Sequence, residues 1–322
     1  MSIFSDPNRK KVAIIGAGLM GAGIAAVFAS RNFSVSLYSR TSLRLEAAKD
    51  VMSTFAPYET IDYTTNFARC VDGAALISEN IAEDLGLKRD IFARAEKLVA
   101  ADCLLTTNTS SISIGKIAEV LERPERFVGL HWFNPAPAMP LIEIVRGPQT
   151  SDTTVSGVQA VCEKLGKETI VVARDIPGFL VNRLQYAILR EALHLVELGV
   201  ASVSDVDRAM ETTLAPRWAA CGPLCLMDLG GLDTVERVAA IINPSLSTQT
   251  APAVSITRRV SSGALGTKTG QGFYNWPHEQ IAKERLRRDD VVRILQAKRE
   301  SDSPSKRTEA VISPIISAKP RS

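Results

Sequence analysis

The sequence is poor in the residues and charges that mark a nucleic-acid surface. Its 322 residues carry a formal net charge of only +3, and aromatic residues make up 6%. A nucleic-acid surface needs a basic stripe with aromatic side chains for base stacking, and no such stripe is present. We therefore expect no nucleic-acid partner.

Cysteine and histidine are also scarce, with five and three residues respectively. The cysteines are odd in number and widely scattered, which is typical of a reduced, intracellular protein, and we expect a cytoplasmic location. Cys221 and Cys225 could share a helical face. Two thiols without nearby His or Cys partners make a poor zinc site, so we expect no metal.

Long apolar runs are rare. Residues 12–30 form an uncharged, largely apolar stretch after three basic residues, which imitates a signal peptide. Four glycines interrupt it, however, at a spacing that suits a tight turn between a strand and a helix better than a signal peptide. No other stretch has the length and apolarity needed to span a bilayer, so we expect no membrane partner.

The length suits two domains, and the pattern changes between them. Short β-branched runs alternate with helical segments in the first part, which indicates a doubly wound α/β sheet of the Rossmann type. We predict strands at 12–15, 35–38, 75–78, 104–107, 127–130, 141–145 and 169–173. Helices are predicted at 21–30, 43–54, 87–99, 113–121 and 155–165. The first, α/β domain is therefore placed at residues 1–174.

Strand signals nearly vanish after residue 175. Apolar residues at helical spacing predict a helix over 179–198, and Ser204 with Asp207 offers a capping box for the next one. We predict an all-helical domain at 175–298. Residues 299–322 are rich in Ser, Pro and Lys, lack periodicity, and are expected to form a disordered tail.

The strongest local motif is a glycine-rich turn between the first strand and the first helix. Gly16, Gly18 and Gly21 form G-x-G-x-x-G, with Leu19 and Met20 between the last two. The first glycine allows the tight turn, the second allows close approach of a pyrophosphate, and the third allows helix–strand packing. Its position in a βαβ unit predicts a nicotinamide dinucleotide site.

The end of the second strand bears on which dinucleotide binds. NAD enzymes carry an acid there for the ribose 2′-hydroxyl, but this sequence has Ser39 and Arg40. A hydroxyl and a guanidinium suit a 2′-phosphate, so NADP(H) is favoured. NAD(H) stays possible if Arg40 is only a solvated loop residue.

Polar residues follow the fourth and fifth predicted strands, where an open α/β sheet borders its ligand crevice. Ser110 and His131 lie at these ends, and three prolines would fold the strand of Glu143 back alongside His131. Hydride transfer at an alcohol carbon requires a proton to move on its oxygen. A neutral histidine suits this, and a carboxylate on its other nitrogen fixes the tautomer.

The motifs taken together resemble the L-3-hydroxyacyl-CoA dehydrogenase family over about residues 10–276. The resemblance rests on Asn108-Thr109-Ser110-Ser111, His131-Trp132-Phe133-Asn134-Pro135, Glu143, Pro177-Gly178-Phe179, Asn182-Arg183 and the segment 268–274. It implies a homodimer formed through the helical domain. It also implies the following roles: His131 as general acid/base, Glu143 as its partner, Ser110 as donor to the substrate oxygen, Asn182 in substrate placement, and Glu83, Lys88 and Asn108 near the nicotinamide.

One departure from the family concerns coenzyme A. The acyl-CoA members of that family have a long basic helical hairpin between the second and third strands. The connection in this sequence is roughly twenty residues too short to form such a hairpin. In this respect the chain resembles lambda-crystallin and carnitine dehydrogenase, whose branch takes small hydroxy acids. We therefore expect an NADP(H)-preferring enzyme for a β-hydroxy or β-keto compound. The alternatives are an NAD-dependent short-chain 3-hydroxyacyl-CoA dehydrogenase and a non-catalytic, crystallin-like protein.

Overall fold

The computed structural model describes residues 11–53 and 61–301. Eight strands form one sheet in the order β3-β2-β1-β4-β5-β6-β7-β8. The strands are β1 Lys11–Ile15, β2 Ser34–Tyr38, β3 Ile61–Thr64, β4 Leu76–Glu79, β5 Leu104–Thr107, β6 Phe127–Trp132, β7 Leu141–Val145 and β8 Glu168–Val172. All neighbouring pairs are parallel except β6 and β7, which are antiparallel.

Helices cover both faces of this sheet. They are α1 Leu19–Ser30, α2 Ser42–Ser53, α3 Phe67–Val71, α4 Leu85–Glu96, α5 Ile114–Ala118 and α6 Asp152–Lys164. Residues of β1 alternate between two hydrophobic clusters, with Val12 and Ile14 in one and Ala13 and Ile15 in the other. This alternation is the reason that a short parallel strand must be apolar throughout. The Rossmann-type architecture expected from the sequence is confirmed.

The second part of the chain is helical, as expected. Its helices are α7 Val181–Glu197, α8 Val203–Ala209, α9 Ala215–Cys221, α10 Pro223–Gly230, α11 Leu232–Ile242, α12 Val254–Ser261 and α13 His278–Ser301. A π-helical segment, Met210–Leu214, joins α8 to α9. Among the described residues, no helix has the length and apolarity needed to cross a membrane.

Two predictions about helix ends are wrong. The capping residue of α8 is Ser202 rather than Ser204, because the Ser202 hydroxyl accepts the Asp205 backbone N–H at 3.1 Å. Residues 299–301, which we expected in a disordered tail, complete α13, where Arg299 pairs with Glu168 at 3.1 Å. The rest of the expected tail lies outside the described residues.

The sheet order brings the functional segments together. The chain leaves β1 toward β2 and β3 on one side, then returns to β4 on the other side, so β1 and β4 flank the point where strand order reverses. Ligands of open α/β sheets bind outside the carboxyl ends of the strands at such a point. The glycine turn and the segments after β4, β5 and β6 all lie at this edge.

Candidate active site

Two glycines of the turn after β1 are required by the packing of the protein itself. Gly16 has a positive φ of 107°, and a Cβ there would lie 2.6 Å from the Asn80 carbonyl oxygen. A Cβ at Gly21 would collide with the Gly16 carbonyl. Any larger residue at either position would force the turn open and separate α1 from β1 and β4.

Gly18 differs, because no atom beyond its own residue and its two chain neighbours lies within 4 Å of the place where its Cβ would be. It is the N-cap of α1, where no side chain caps the helix and the first turn carries no acid. The N–H groups of Leu19, Met20 and Gly21 thus begin a helix whose positive end is uncapped. A pyrophosphate fits this arrangement, since it needs both backbone donors and a residue without a side chain.

At the end of β2, Ser39 is buried and Arg40 is exposed. The Ser39 hydroxyl accepts the Thr41 backbone N–H at 3.5 Å. A second arginine, Arg44 in the first turn of α2, is also exposed. Neither Arg40 nor Arg44 makes a hydrogen bond or ion pair with a described residue, so both guanidinium groups are available to an anion. The sequence motif places the ribose-binding acid only at the end of the second strand. It therefore gives no signal for Arg44, which lies on the helix that follows.

Lys88 lies inside a buried cluster of charges at the carboxyl end of β4. Its side chain is 1% exposed, and its ammonium donates to both carboxylate oxygens of Glu79, at 2.8 and 3.0 Å. Thr107 donates to the same carboxylate at 2.6 Å. We expected Lys88 against the cofactor, but its ammonium is instead enclosed by protein. Removal of one partner from a buried ion pair of this kind costs about 3–5 kcal/mol.

Glu83 links this cluster to the loop that follows β5. Its Oε2 lies 3.4 Å from the Lys88 ammonium, and its Oε1 accepts hydrogen bonds from the Thr109 hydroxyl, the backbone N–H groups of Ser110 and Ser111, and the Ser111 hydroxyl at 2.6–3.0 Å. Partial burial alone would raise the pKa of Glu83. The hydrogen bonds and Lys88 outweigh it and lower the pKa to about 2. The loop carrying Ser110 is therefore held by a carboxylate that is charged at neutral pH.

Asn108 holds three strand ends together. Its amide donates to the Asn80 side-chain oxygen at 3.0 Å, and its own oxygen accepts the Trp132 backbone N–H at 2.8 Å. Asn80, Asn108 and Trp132 stand at or just beyond the ends of β4, β5 and β6. The Asn108 side chain thus fixes the edge of the sheet beside the nucleotide turn.

His131 and Glu143 form a buried pair across β6 and β7. The two residues are direct partners in the antiparallel register, and His131 Nδ1 lies 2.6 Å from Glu143 Oε2. Glu143 is fully buried and His131 is 5% exposed. The contact leaves Nε2 as the ring nitrogen able to exchange a proton with a ligand. The aromatic rings of Phe133 and Phe179 flank the imidazole, with centroids 4.7 and 5.5 Å away.

The other oxygen of Glu143 belongs to the helical part of the molecule. Oε1 accepts the backbone N–H groups of Leu180 and Val181 at 3.0 and 2.8 Å, where α7 begins. A negative charge at a helix N-terminus is favourable, and here it satisfies two otherwise unbonded donors. One residue further on, the Asn182 amide donates to the Ser110 carbonyl at 3.4 Å. The residues predicted as catalytic therefore lie along one junction between the two parts of the chain.

The large apolar cavity of the structure lies elsewhere. It has a volume of about 530 Å³ and is lined by α7, α8, α12 and the segment after it, including Leu193, Val206 and Phe273. None of the residues predicted to bind cofactor or substrate lines it. We therefore do not assign the chemistry to this cavity.

Two family sequence profiles match this chain. Residues 11–176 match the 3-hydroxyacyl-CoA dehydrogenase NAD binding domain, and residues 178–276 match the 3-hydroxyacyl-CoA dehydrogenase C-terminal domain. The 5-formyl-3-hydroxy-2-methylpyridine 4-carboxylate 5-dehydrogenase of Mesorhizobium japonicum is 33% identical over 307 residues, which covers 90% of this chain and 99% of that protein.

Solved structures show the same relationship. A 5-formyl-3-hydroxy-2-methylpyridine 4-carboxylic acid 5-dehydrogenase, described as an NAD⁺-dependent dismutase, aligns with a TM-score of 0.86 at 31% identity, covering 92% of this chain and 99% of that one. The (S)-3-hydroxybutyryl-CoA dehydrogenase of Ralstonia eutropha aligns with a TM-score of 0.68 at 32% identity, covering 84% and 99%. Both alignments extend over the sheet and the helical part.

Proposed function

This chain belongs to the 3-hydroxyacyl-CoA dehydrogenase family and is an oxidoreductase acting on CH–OH groups, and we propose that it oxidises or reduces the β-carbon of a small β-hydroxy or β-keto acid. The observation that carries the proposal is the buried contact between His131 and Glu143. A fold maintained without catalysis has no need for a buried imidazole–carboxylate pair beside a nucleotide turn.

His131 is proposed to move the proton on the reacting oxygen. In the oxidative direction Nε2 takes the hydroxyl proton as the C–H bond is broken, and in the reductive direction it returns that proton to the carbonyl oxygen. Glu143 holds the ring through Nδ1 and stabilises the imidazolium that forms. Such acid/base assistance contributes about 10²–10⁴-fold in rate.

Ser110 and Asn182 are proposed to position the substrate. Ser110 lies on the loop that Glu83 holds, and its hydroxyl is assigned as a donor to the substrate oxygen. Asn182 lies at the start of α7 and contacts the backbone of that loop. Two donors fixed on opposite sides of the junction would orient the carbonyl for reaction.

A nicotinamide dinucleotide supplies the hydride chemistry when it is bound. The glycine turn and the first N–H groups of α1 are the residues proposed to hold its pyrophosphate, because Gly18 leaves room there and α1 is uncapped. Glu83 and Asn108 are proposed to lie near the nicotinamide. Lys88 is proposed to act through Glu83, whose charge and position it fixes.

We propose further that the substrate does not carry coenzyme A. Within the described residues, the connection from β2 to β3 contains one helix of 12 residues, α2 Ser42–Ser53, and β3 begins at Ile61. This span is too short for the basic helical hairpin that acyl-CoA members use. The similar enzyme of M. japonicum is named for a small pyridine carboxylate, which agrees with a carboxylic acid substrate.

A substrate panel tests this proposal. Turnover is followed by nicotinamide absorbance with free β-hydroxy and β-keto acids, with the matching CoA thioesters, and with the pyridine aldehyde that the M. japonicum enzyme is named for. We expect kcat/KM for a free acid to exceed that of its thioester by about tenfold or more, or about 1.4 kcal/mol. A preference for thioesters would support the alternative function, that of a short-chain 3-hydroxyacyl-CoA dehydrogenase. A chain that turned over nothing and bound no dinucleotide would support the crystallin-like alternative.

NADP(H) is the cofactor we propose in preference to NAD(H). Arg40 and Arg44 are exposed and without bonded partners among the described residues, and Ser39 replaces the usual acid. A 2′-phosphate would gain charge-assisted hydrogen bonds from these groups, whereas the repulsive carboxylate is missing. NAD(H) would be the cofactor if both arginines stay solvated.

We also propose a homodimer formed by the helical part. Leu224, Leu229 and Ile241 on α10 and α11 are each more than three-quarters exposed. Apolar surface of this extent is typical of an interface with another chain, and no membrane-spanning helix is present in the described residues to account for it. The cytoplasmic location expected from cysteine usage stays a prediction.

A further inference from the structure

The side chain of Lys167 holds the connection between the two strands that carry His131 and Glu143. Lys167 lies between α6 and β8, and its ammonium donates to the carbonyl oxygens of Ala136, Pro137 and Met139 at 2.9, 3.2 and 2.7 Å. All three ammonium protons are thus used by one loop. That loop runs from the end of β6 to the start of β7.

The composition of this loop explains why an ammonium is needed. Pro135, Pro137 and Pro140 have no backbone N–H, so the loop has more carbonyl acceptors than donors of its own. Its internal bonds include those from the Ala138 and Met139 N–H groups to the Pro135 carbonyl. An unbonded carbonyl in a part-buried loop is destabilising. A group with three donors at one point satisfies three of them.

The loop is confined on its other sides as well. A Cβ at Gly23 of α1 would lie 3.3 Å from the Pro137 ring, so the loop packs directly on the helix that begins the nucleotide site. The Lys167 ammonium also lies 5.9 Å from the centre of the Trp132 ring, next to His131 in the chain. Movement of the loop would therefore be felt at both strands.

We propose that Lys167 is a positioning residue for the His131–Glu143 pair, and that its protonated form is required for full activity. The inference rests on the proposed acid/base function of that pair. Loss of the ammonium would release the β6–β7 connection, and a displacement of about 1 Å at a reacting group can cost about 10²-fold in rate.

The surroundings of Lys167 shift its pKa into a pH range in which activity can be measured. Burial and the nearby Arg31 lower its pKa to about 8, while Cys162 acts weakly in the opposite sense. Burial raises the pKa of Cys162 to about 12, so this thiol is neutral in the relevant range. Glu168 is paired with Arg299 of α13, and Gln296 of the same helix lines the pocket beside Lys167 without charge.

Activity and stability should respond to this ionisation in opposite directions. Above pH 8 the amine keeps two donors, so one of the three carbonyls loses its bond and turnover falls. The folded pKa lies below the ordinary value of 10.5, so the unfolded chain binds more protons between pH 8 and 10.5. The contribution of this group to folding stability therefore rises with pH over that window. A lysine with only a structural role would not make turnover fall over the pH window in which folding stability rises.

The test compares kcat from pH 6.5 to 10 for wild type, Lys167→Arg and Lys167→Met, with Lys164→Arg as an exposed control on α6. Wild type and control should lose activity above about pH 8. Lys167→Arg should keep its activity to higher pH, since arginine stays charged. Lys167→Met should have a kcat about 10- to 100-fold lower at pH 7, with unchanged dinucleotide Kd.

If Lys167→Arg loses activity above pH 8 in the same way as wild type, the proposal is overturned. This outcome can be read even if Lys167→Met does not fold. Near-normal kcat in a folded Lys167→Met would overturn it as well. Failure of the underlying function is distinguished by His131→Asn. If His131→Asn stays active, the acid/base assignment is wrong, whereas an inactive His131→Asn beside a normal Lys167→Met removes only the role of Lys167.

Discussion

Glu143 lies directly opposite His131 in the antiparallel pair of β6 and β7, and its two oxygens serve different parts of the chain. Oε2 meets the imidazole at 2.6 Å, and Oε1 accepts the N–H groups of Leu180 and Val181 where α7 begins. The orientation of His131 is thus coupled to the position of the helical part.

Glu143→Gln should therefore lose most of its activity. An amide has one acceptor oxygen and cannot accept from both His131 and the start of α7. We expect kcat to fall by about 10²–10⁴-fold with dinucleotide affinity close to wild type. Steady-state kinetics and fluorescence titration measure the two quantities. Glu122→Gln, an exposed change near the β6 strand, is the control, and equal activity in the two variants would remove Glu143 from the mechanism.

Glu83→Gln should lower thermal stability in a pH-dependent way. The folded pKa of Glu83 is about 2, below the ordinary 4.5, so its charge contributes stability above pH 4.5 that is lost as pH falls toward 2. The Tm of Glu83→Gln should lie furthest below that of wild type at pH 6–7. This difference should shrink steadily below pH 4.5. Calorimetry of both proteins between pH 3 and 7 measures it. The exposed Glu46→Gln should show a much smaller difference, and a constant difference at Glu83 would contradict the assignment.

Cofactor preference should depend on Ser39 and Arg40. We expect wild type to favour NADPH over NADH, because a hydrogen bond to a charged group contributes about 1.5–3 kcal/mol, or roughly one to two decades. Ser39→Asp with Arg40→Ile should move the kcat/KM ratio toward NADH. Arg44→Ala alone should move it in the same direction by a smaller amount. A wild type that prefers NADH would refute the proposal, and an unmoved double variant would place phosphate recognition elsewhere.

Leu224→Glu with Ile241→Glu should convert the protein to monomers. Both side chains are exposed apolar groups on α10 and α11, and two buried charges per chain would not be tolerated in an interface. Light scattering should give twice the chain mass for wild type and a single chain mass for the variant. Leu43→Glu on α2 is equally exposed and should stay dimeric. A wild-type protein that is monomeric across micromolar concentrations would sink the dimer.

The sequence predicted those parts of the fold whose signals are local and strong. The apolar strands of the sheet and five of the six helices flanking them were found within a few residues, whereas the short helix α3 was not predicted. The edge strand β3 was missed, because Ile61–Thr64 is short and half polar. The cap at Ser202 was misassigned to Ser204, since both serines precede an acid at suitable spacing.

The charged contacts around the site were harder to predict. Glu79 and Lys167 belong to no sequence motif. An acid at the end of a strand, or a lysine just before one, is usually interpreted as a solvated residue. Their roles arise from burial, which sequence periodicity does not report for single polar residues. Glu143 was found only because three prolines indicated that its strand would fold back on β6.

His131→Asn tests the central claim most directly. Asparagine can neither accept nor return a proton at neutral pH, and the nucleotide turn lies on other strands, so turnover and cofactor binding should separate. We expect kcat with the best substrate of the panel to fall by about 10²–10⁴-fold while the dinucleotide Kd stays near wild type, and the double variant with Glu143→Gln to be no slower than His131→Asn alone. Turnover near the wild-type rate in His131→Asn would contradict the account.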